Sequence, residues 1–115
     1  MRAKPRRNSP FRPGLDFFSA DLCVPLRHPQ VRAAGLRVRR DLLVHCLYQY
    51  LEFTVQLETG PVNEACLLLR SPAFLPSLPT GMKNDALRIY TDEAGHAEMS
   101  HTLQAAVQEE TGVPP

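Results

Sequence analysis

The chain has 115 residues, of which 43% are hydrophobic, and this length allows one domain at most. Its formal net charge of +1 conceals an uneven distribution, because residues 1–40 sum to +8 and residues 41–115 sum to −7. No apolar run approaches the roughly 18 residues of a membrane span, and the N-terminus lacks the apolar segment of an export signal. Three cysteines without CxxC spacing indicate a reducing, cytoplasmic setting.

The first 13 residues are basic and rich in proline, and we expect them to form a poorly ordered arm ahead of a helical domain over residues 14–115. A few cations are a weak signal for nucleic acid, so we do not predict such a partner. After an apolar segment over residues 14–26, His28-Pro29 opens a short helical turn that runs to about Gly35.

A long helix is predicted from about Leu36 to Leu69, because apolar residues recur there at steps of four and three. Its continuous face consists of Leu43, Leu47, Leu51, Thr54, Glu58, Val62, Ala65 and Leu69. Glu52 and Glu64 fall outside this face and are expected at the surface. Pro61 interrupts the pattern just past Glu58. An interior proline costs about 3 kcal/mol, so we expect the helix either to kink there or to end and restart.

A proline-rich connection over residues 71–80 leads to a second long helix, predicted from about Gly81 to Thr111. Gly112 followed by Pro114 is a stop signal for this helix. Steps of four and three again define one face, which consists of Met82, Ala86, Ile89, Glu93, His96, Ser100, Leu103 and Val107. We therefore expect Glu93 and His96 on the side of the helix that is turned toward the core.

Glu93 and His96 are three residues apart, so a helix places them side by side. Burying an unpaired charge costs several kcal/mol or more, and a metal ion would satisfy the carboxylate and the imidazole together. Glu58 on the preceding helix supplies a further carboxylate, which completes half of the ligand set of a carboxylate-bridged diiron bundle. Asp92 could hold the second nitrogen of a ligating imidazole, as an outer-shell carboxylate often does. The alternative is a hydrogen-bonded Glu93–His96 pair in a core without metal.

Other catalytic signatures are missing from the sequence. There is no His-Glu-x-x-His, which argues against a zinc protease, and no serine or cysteine lies in a nucleophile elbow. Glycine-rich phosphate loops are also absent. The carboxylate and histidine group is thus the one candidate site for chemistry.

Three stretches carry a family resemblance: Leu47–Thr54, then Leu57–Thr59 with Val62-Asn63, and Ile89–Ala97. The most specific part is Tyr-Thr-Asp-Glu-x-x-His-Ala, in which the Glu and His are Glu93 and His96, with Glu58 placed 35 residues before Glu93. In these residues the chain resembles the para-aminobenzoate N-oxygenase family of diiron oxygenases, over about residues 15–110 and only in the family's N-terminal half. The resemblance implies an all-α, ferritin-like helical hairpin with Glu58, Glu93 and His96 as iron ligands. It also implies dioxygen and an arylamine-like small molecule as substrates.

The family's second Glu helix and second Glu-x-x-His helix have no counterpart before Pro115, and three protein ligands are too few for two irons. We expect either a truncated member or a homodimer in which each chain supplies half of the site. A non-catalytic alternative is a helical fragment that self-associates through its apolar face, with incidental or no metal binding. Manganese is an alternative to iron, because carboxylate-rich sites accept both.

Overall fold

A computed structural model describes residues 8–71 and 77–115 of the chain. These residues contain helices and no β-strand, which confirms the predicted all-α class. They divide into two compact units: the described residues of Met1–Leu51 with Leu103–Pro115, and those of Glu52–Thr102. No helix within the described ranges is both long and apolar enough to cross a lipid bilayer.

The helices follow the predicted order along the chain. They are α1 (Pro29–Ala33), α2 (Leu36–Leu57), a π-helical turn (Glu58–Val62), α3 (Asn63–Arg70) and α4 (Thr80–Thr111), preceded by 3-10 turns at Ala20–Leu22 and Val24–Arg27. Part of the predicted proline-rich connection, residues 72–76, lies outside the described residues, as does most of the predicted arm, residues 1–7.

The helix ends are where the sequence signals place them. His28 caps α1, because its Nδ1 accepts a hydrogen bond from the backbone N–H of Gln30 at 3.2 Å. At the end of α4, Gly112 adopts a φ of 71°, and its N–H donates to the carbonyl of Gln108 at 2.8 Å. This left-handed glycine cap satisfies a carbonyl that the last turn would leave free, so the predicted stop at Thr111 is confirmed.

Both hydrophobic clusters lie in the first unit. One contains the buried residues Val44, Tyr48, Val107 and Val113, and the other contains Cys23, Leu26 and Leu43. Phe11, from the stretch predicted as an arm, packs against the first cluster and meets Phe17 edge to face at 5.2 Å. The hydroxyl of Tyr48 donates to the carbonyl of Val113 at 2.8 Å, which fixes the segment after α4 against α2.

Polar contacts add to this unit at its edges. Arg39 donates two hydrogen bonds to the carboxylate of Asp16, at 2.5 and 2.9 Å. The guanidinium of Arg39 holds the pKa of Asp16 below its ordinary value. The thiols of Cys23 and Cys46 lie 3.1 Å apart, and burial, together with the neighbouring Cys23, raises the pKa of Cys46 to about 11.

The second unit is packed differently, because its buried side chains are small or polar. Its buried described residues are Asn63, Cys66, Ala86, Ala97 and Ser100. Many of its large hydrophobic side chains are exposed, from 38% at Tyr90 to 64% at Met99. This unit therefore presents apolar surface that its own described residues do not cover.

The buried face of α4 differs in part from the predicted one. Ala86, Ser100 and Val107 are buried as predicted, and Glu93 is partly buried. The flank at Met82, Ile89, His96 and Leu103, predicted to be buried as well, is exposed, and the helix buries Ala97 and Thr111 instead. The predicted residues spaced seven apart, from Ala86 to Val107, are thus buried or partly buried. The residues buried beside them, Ala97 and Thr111, lie four positions after Glu93 and Val107, on the other flank from His96 and Leu103.

Candidate metal centre

Two helical segments of the second unit bring the predicted ligands together. Glu58 is the first residue of the π turn, and Glu93 and His96 lie one turn apart on α4. One ligand atom of each residue lies within 4.8 Å of the others, which makes them a group able to hold a metal ion. The structure therefore places the three residues predicted from the sequence in a single cluster.

Glu58 and Pro61 both lie in the π turn, which carries the helix past the proline. Pro61 has no N–H and its ring would clash with the carbonyl of Leu57 in an α-helix. In a π turn each carbonyl accepts from the N–H five residues on, so a proline at position 61 removes no hydrogen bond from Leu57. The helical path consequently continues from α2 into α3 through Glu58–Val62. The predicted kink or break at Pro61 is replaced by a wider turn.

The distances within the cluster suit shared coordination. His96 Nδ1 lies 3.5 Å from Glu93 Oε2 and 3.7 Å from Glu58 Oε1. Both distances exceed the usual range of a direct N–H···O hydrogen bond. Two ligands of one ion are at most about 4.2 Å apart, because a metal–ligand bond to oxygen or nitrogen is about 2.1 Å long. Both pairs of atoms fall inside that limit.

The burial and the charged neighbours of Glu58 are also compatible with a bound cation. Its side chain is 17% exposed, and its buried Oε2 has no hydrogen-bond partner among the described residues. Desolvation raises the pKa of Glu58, the negative charge of Glu93 raises it further, and His96 opposes the increase. A cation between these side chains would answer both the unpaired oxygen and the repulsion between the carboxylates.

His96 departs from the expectation of a fully buried site. Its side chain is 50% exposed, whereas those of Glu58 and Glu93 are 17% and 18% exposed. The cluster is thus enclosed on the carboxylate side and open on the imidazole side. Solvent, a small molecule or another protein surface can approach it there.

The structure does not connect Asp92 with His96. Asp92 is exposed and makes no hydrogen bond or ion pair with His96 in the described structure, so its outer-shell role stays a prediction.

The sequence gave no reason to assign Asn63 a role, yet this residue is only 9% exposed, and its Oδ1 has no hydrogen-bond partner among the described residues. It follows Glu58 by five residues across the π turn, a spacing that helical periodicity of 3.6 does not single out.

Two carboxylates and one imidazole are ligands that iron and manganese both accept, so the donor set is compatible with either predicted metal. The unpaired Glu58 Oε2 is a donor atom that a cation could use. No family model, no curated protein and no solved structure matches this chain. The resemblance to the para-aminobenzoate N-oxygenase family therefore stays a prediction that rests on the quoted residues.

Proposed function

We propose that Glu58, Glu93 and His96 bind iron and that the chain takes part in dioxygen-dependent oxidation of an arylamine-like small molecule. The observation that carries this proposal is the pairing of a buried, unpartnered carboxylate oxygen on Glu58 with an imidazole nitrogen that faces both carboxylates. The family resemblance supports the reaction class, since the resembled enzymes oxidise arylamines at two irons.

The proposed overall reaction needs an external reductant. An arylamine, one dioxygen molecule, two electrons and two protons give an arylhydroxylamine and one water molecule. Bound iron would supply dioxygen activation. Glu58 and Glu93 would hold their negative charge against the metal in a partly dehydrated setting, and His96 would add a nitrogen ligand from the more exposed side.

Iron binding is tested by reconstituting the purified protein with Fe(II) without oxygen and measuring iron per chain after gel filtration. We expect stoichiometric iron in the wild type and its loss in Glu93→Ala and His96→Ala. Helix α4 provides a matched control, because Glu98 and His101 repeat the Glu-x-x-His spacing and are both exposed. Glu98→Ala and His101→Ala should retain the iron. Equal iron content in all five proteins would refute the proposed site.

Activity is tested on the reconstituted protein with an arylamine, dioxygen and a chemical reductant. The expected result is a product that carries one added oxygen atom on nitrogen, formed by the wild type and by Glu98→Ala but not by Glu93→Ala. Iron binding without any such product would remove the oxygenase function and keep the metal site.

A second candidate function is supported by the exposed apolar surface of the second unit. A helical module that self-associates through this surface, without metal, accounts for exposed side chains such as Phe53 and Met99, at 62% and 64%. It predicts an oligomer whose iron content is negligible and whose assembly is unchanged in Glu93→Ala. The same iron measurement therefore separates the two functions.

A further inference from the structure

The candidate metal centre has only three protein donors. No other group of three or more His, Cys, Asp or Glu side chains with ligand atoms this close occurs in residues 8–71 and 77–115. Three donors are too few for a pair of metal ions, which in helical bundles is held by a Glu from each of two helices and a Glu-x-x-His from each of two others. A site for two ions would therefore need donors from outside these residues.

Helix α4 carries two neighbouring columns of residues, each with a period of seven. Ala86, Glu93, Ser100 and Val107 recur every seven residues and form its inward column. Met82, Ile89, His96 and Leu103 form a second column with the same period, which we call the open column. Alternating steps of four and three over more than three heptads place the two columns side by side in one stripe, the pattern of a helix that packs this stripe against helical partners.

Only one of these columns has a partner among the described residues. In the open column Met82, Ile89 and Leu103 are 56%, 46% and 38% exposed, and the His96 side chain is 50% exposed. The metal ligand His96 thus lies within an uncovered apolar stripe. A helix that covered the stripe would also close the open side of the metal centre.

We propose that the open column of α4 packs against the same column of a second copy of this chain, and that the two copies together complete a two-metal site. This inference rests on the proposed metal-binding function. A two-fold contact brings the same patch of both copies together, so one Glu58 and one Glu93-x-x-His96 from each chain become the full set of donors. An unrelated partner would have to supply a matching Glu and Glu-x-x-His of its own.

Charge balance makes this assembly depend on the metal. The contact would bring together the carboxylates of Glu58 and Glu93 from both copies, and in each chain the buried Oε2 of Glu58 has no hydrogen-bond partner among the described residues. Two divalent ions neutralise the charge of the four carboxylates. The copies should therefore associate when metal is bound and separate when a chelator removes it.

The test combines sedimentation velocity with metal analysis on the full chain loaded with Mn(II), which is stable in air. The wild type is expected to sediment as a dimer with one ion per chain and as a monomer with chelator. Ile89→Glu places a charge in the open column and should give a monomer that has lost its metal. Leu87→Glu is the matched control, because Leu87 is similarly exposed, 42% against 46%, but lies on the opposite side of α4. It should remain a metal-loaded dimer.

The outcomes distinguish this inference from the function beneath it. A wild-type monomer that holds stoichiometric metal overturns the dimeric site and keeps metal binding. A dimer that Ile89→Glu dissociates without metal loss overturns it as well. A wild type that binds no metal refutes the proposed function itself. If Ile89→Glu loses helical circular dichroism, Met82→Glu at the more exposed end of the column provides the second variant, with the same expected result.

Discussion

His96 Nδ1 lies 3.7 Å from Glu58 Oε1, so an imidazole of α4 and a carboxylate of the π turn share one site. Glu93 completes the group from the same helix as His96, at 3.5 Å from the same nitrogen. The site therefore depends on the packing of two helical segments, and its ligands respond to each other's charge.

Glu58→Gln is expected to stabilise the metal-free protein at neutral pH while it abolishes metal binding. The pKa of folded Glu58 exceeds the ordinary 4.5, because burial and the charge of Glu93 disfavour its ionised form. The folded state then binds more protons than the unfolded state between these two pKa values, so the free energy of unfolding falls as the pH rises through this window. The uncharged amide of the glutamine side chain does not titrate, so Glu58→Gln should not lose free energy of unfolding in this pH window.

Urea denaturation in the presence of chelator, from pH 4.5 upward, measures the effect. Glu64→Gln changes the same functional group on the exposed side of α3 and should follow the wild type at each pH. If the free energy of unfolding of Glu58→Gln depended on pH in the same way as that of the wild type, the raised pKa of Glu58 would be contradicted.

Asp16→Asn is expected to lower the melting temperature at neutral pH and to have no effect in strong acid. Arg39 donates two hydrogen bonds to Asp16 and lowers the pKa of Asp16 below 3.8. This contribution to stability is present above pH 3.8 and is lost as the pH falls through the lowered pKa. Thermal unfolding at neutral pH and well below pH 3.8 tests it, with the exposed Asp21→Asn as the control.

Leu43→Ala should destabilise the chain by about 2–5 kcal/mol, because Leu43 is 1% exposed in a cluster of the first unit and its removal leaves a cavity. Leu36→Ala, on the same helix but 73% exposed, should change the free energy of unfolding by less than about 0.5 kcal/mol. Chemical denaturation of the two variants measures this contrast. If the two substitutions lowered the free energy of unfolding equally, the burial of Leu43 in this cluster would be contradicted.

Gly95→Ala should stabilise α4 by about 0.5–1 kcal/mol, since glycine in a helix interior has excess freedom in the unfolded chain. A Cβ at Gly95 or at Gly35 would meet no atom within 4 Å, but Gly35 has a φ of 99°. Gly35→Ala should therefore destabilise the chain through backbone strain alone. Denaturation curves of the two variants should shift in opposite directions.

Cys46 should react slowly with iodoacetamide in the folded protein. Its pKa is raised to about 11 by burial and by Cys23, so little thiolate is present near neutral pH. Mass spectrometry of peptides after timed alkylation compares native chain with chain unfolded in urea. Rapid labelling of native Cys46 would contradict the burial of this thiol.

The extent of prediction from sequence differs between the elements. The ends of α4 and the pairing of Glu93 with His96 follow from local signals, because capping residues and helical spacing act within a few residues. Glu58 was predicted to join them from its place on the buried face of the preceding helix and from the family resemblance. The exposed flank of α4 did not follow. A spacing of 3.5 residues places Ile89 and Ala97 on either side of the same column, and only the packing of neighbouring helices selects the flank that is buried.

The turn at Pro61 was only partly predictable for a related reason. The sequence shows that an α-helix cannot pass through this proline unchanged, but a kink, a break and a π turn all relieve the clash at Leu57. Asn63 and Cys66, just beyond the turn, are buried in α3, and a wider turn is compatible with their burial. Such long-range packing is not encoded in the residues around the proline.

The π turn also fixes the length of the chain between Glu58 and Asn63. One residue added to a helix rotates everything after it by about 100°, and a π turn holds such an extra residue within an otherwise continuous helix. Deleting a single residue from Glu58–Val62 would carry Asn63 and Cys66 from the buried side of α3 to another side. When distant relatives of this chain are aligned, a one-residue gap in this stretch should mark those in which Glu58 and α3 no longer face the same way.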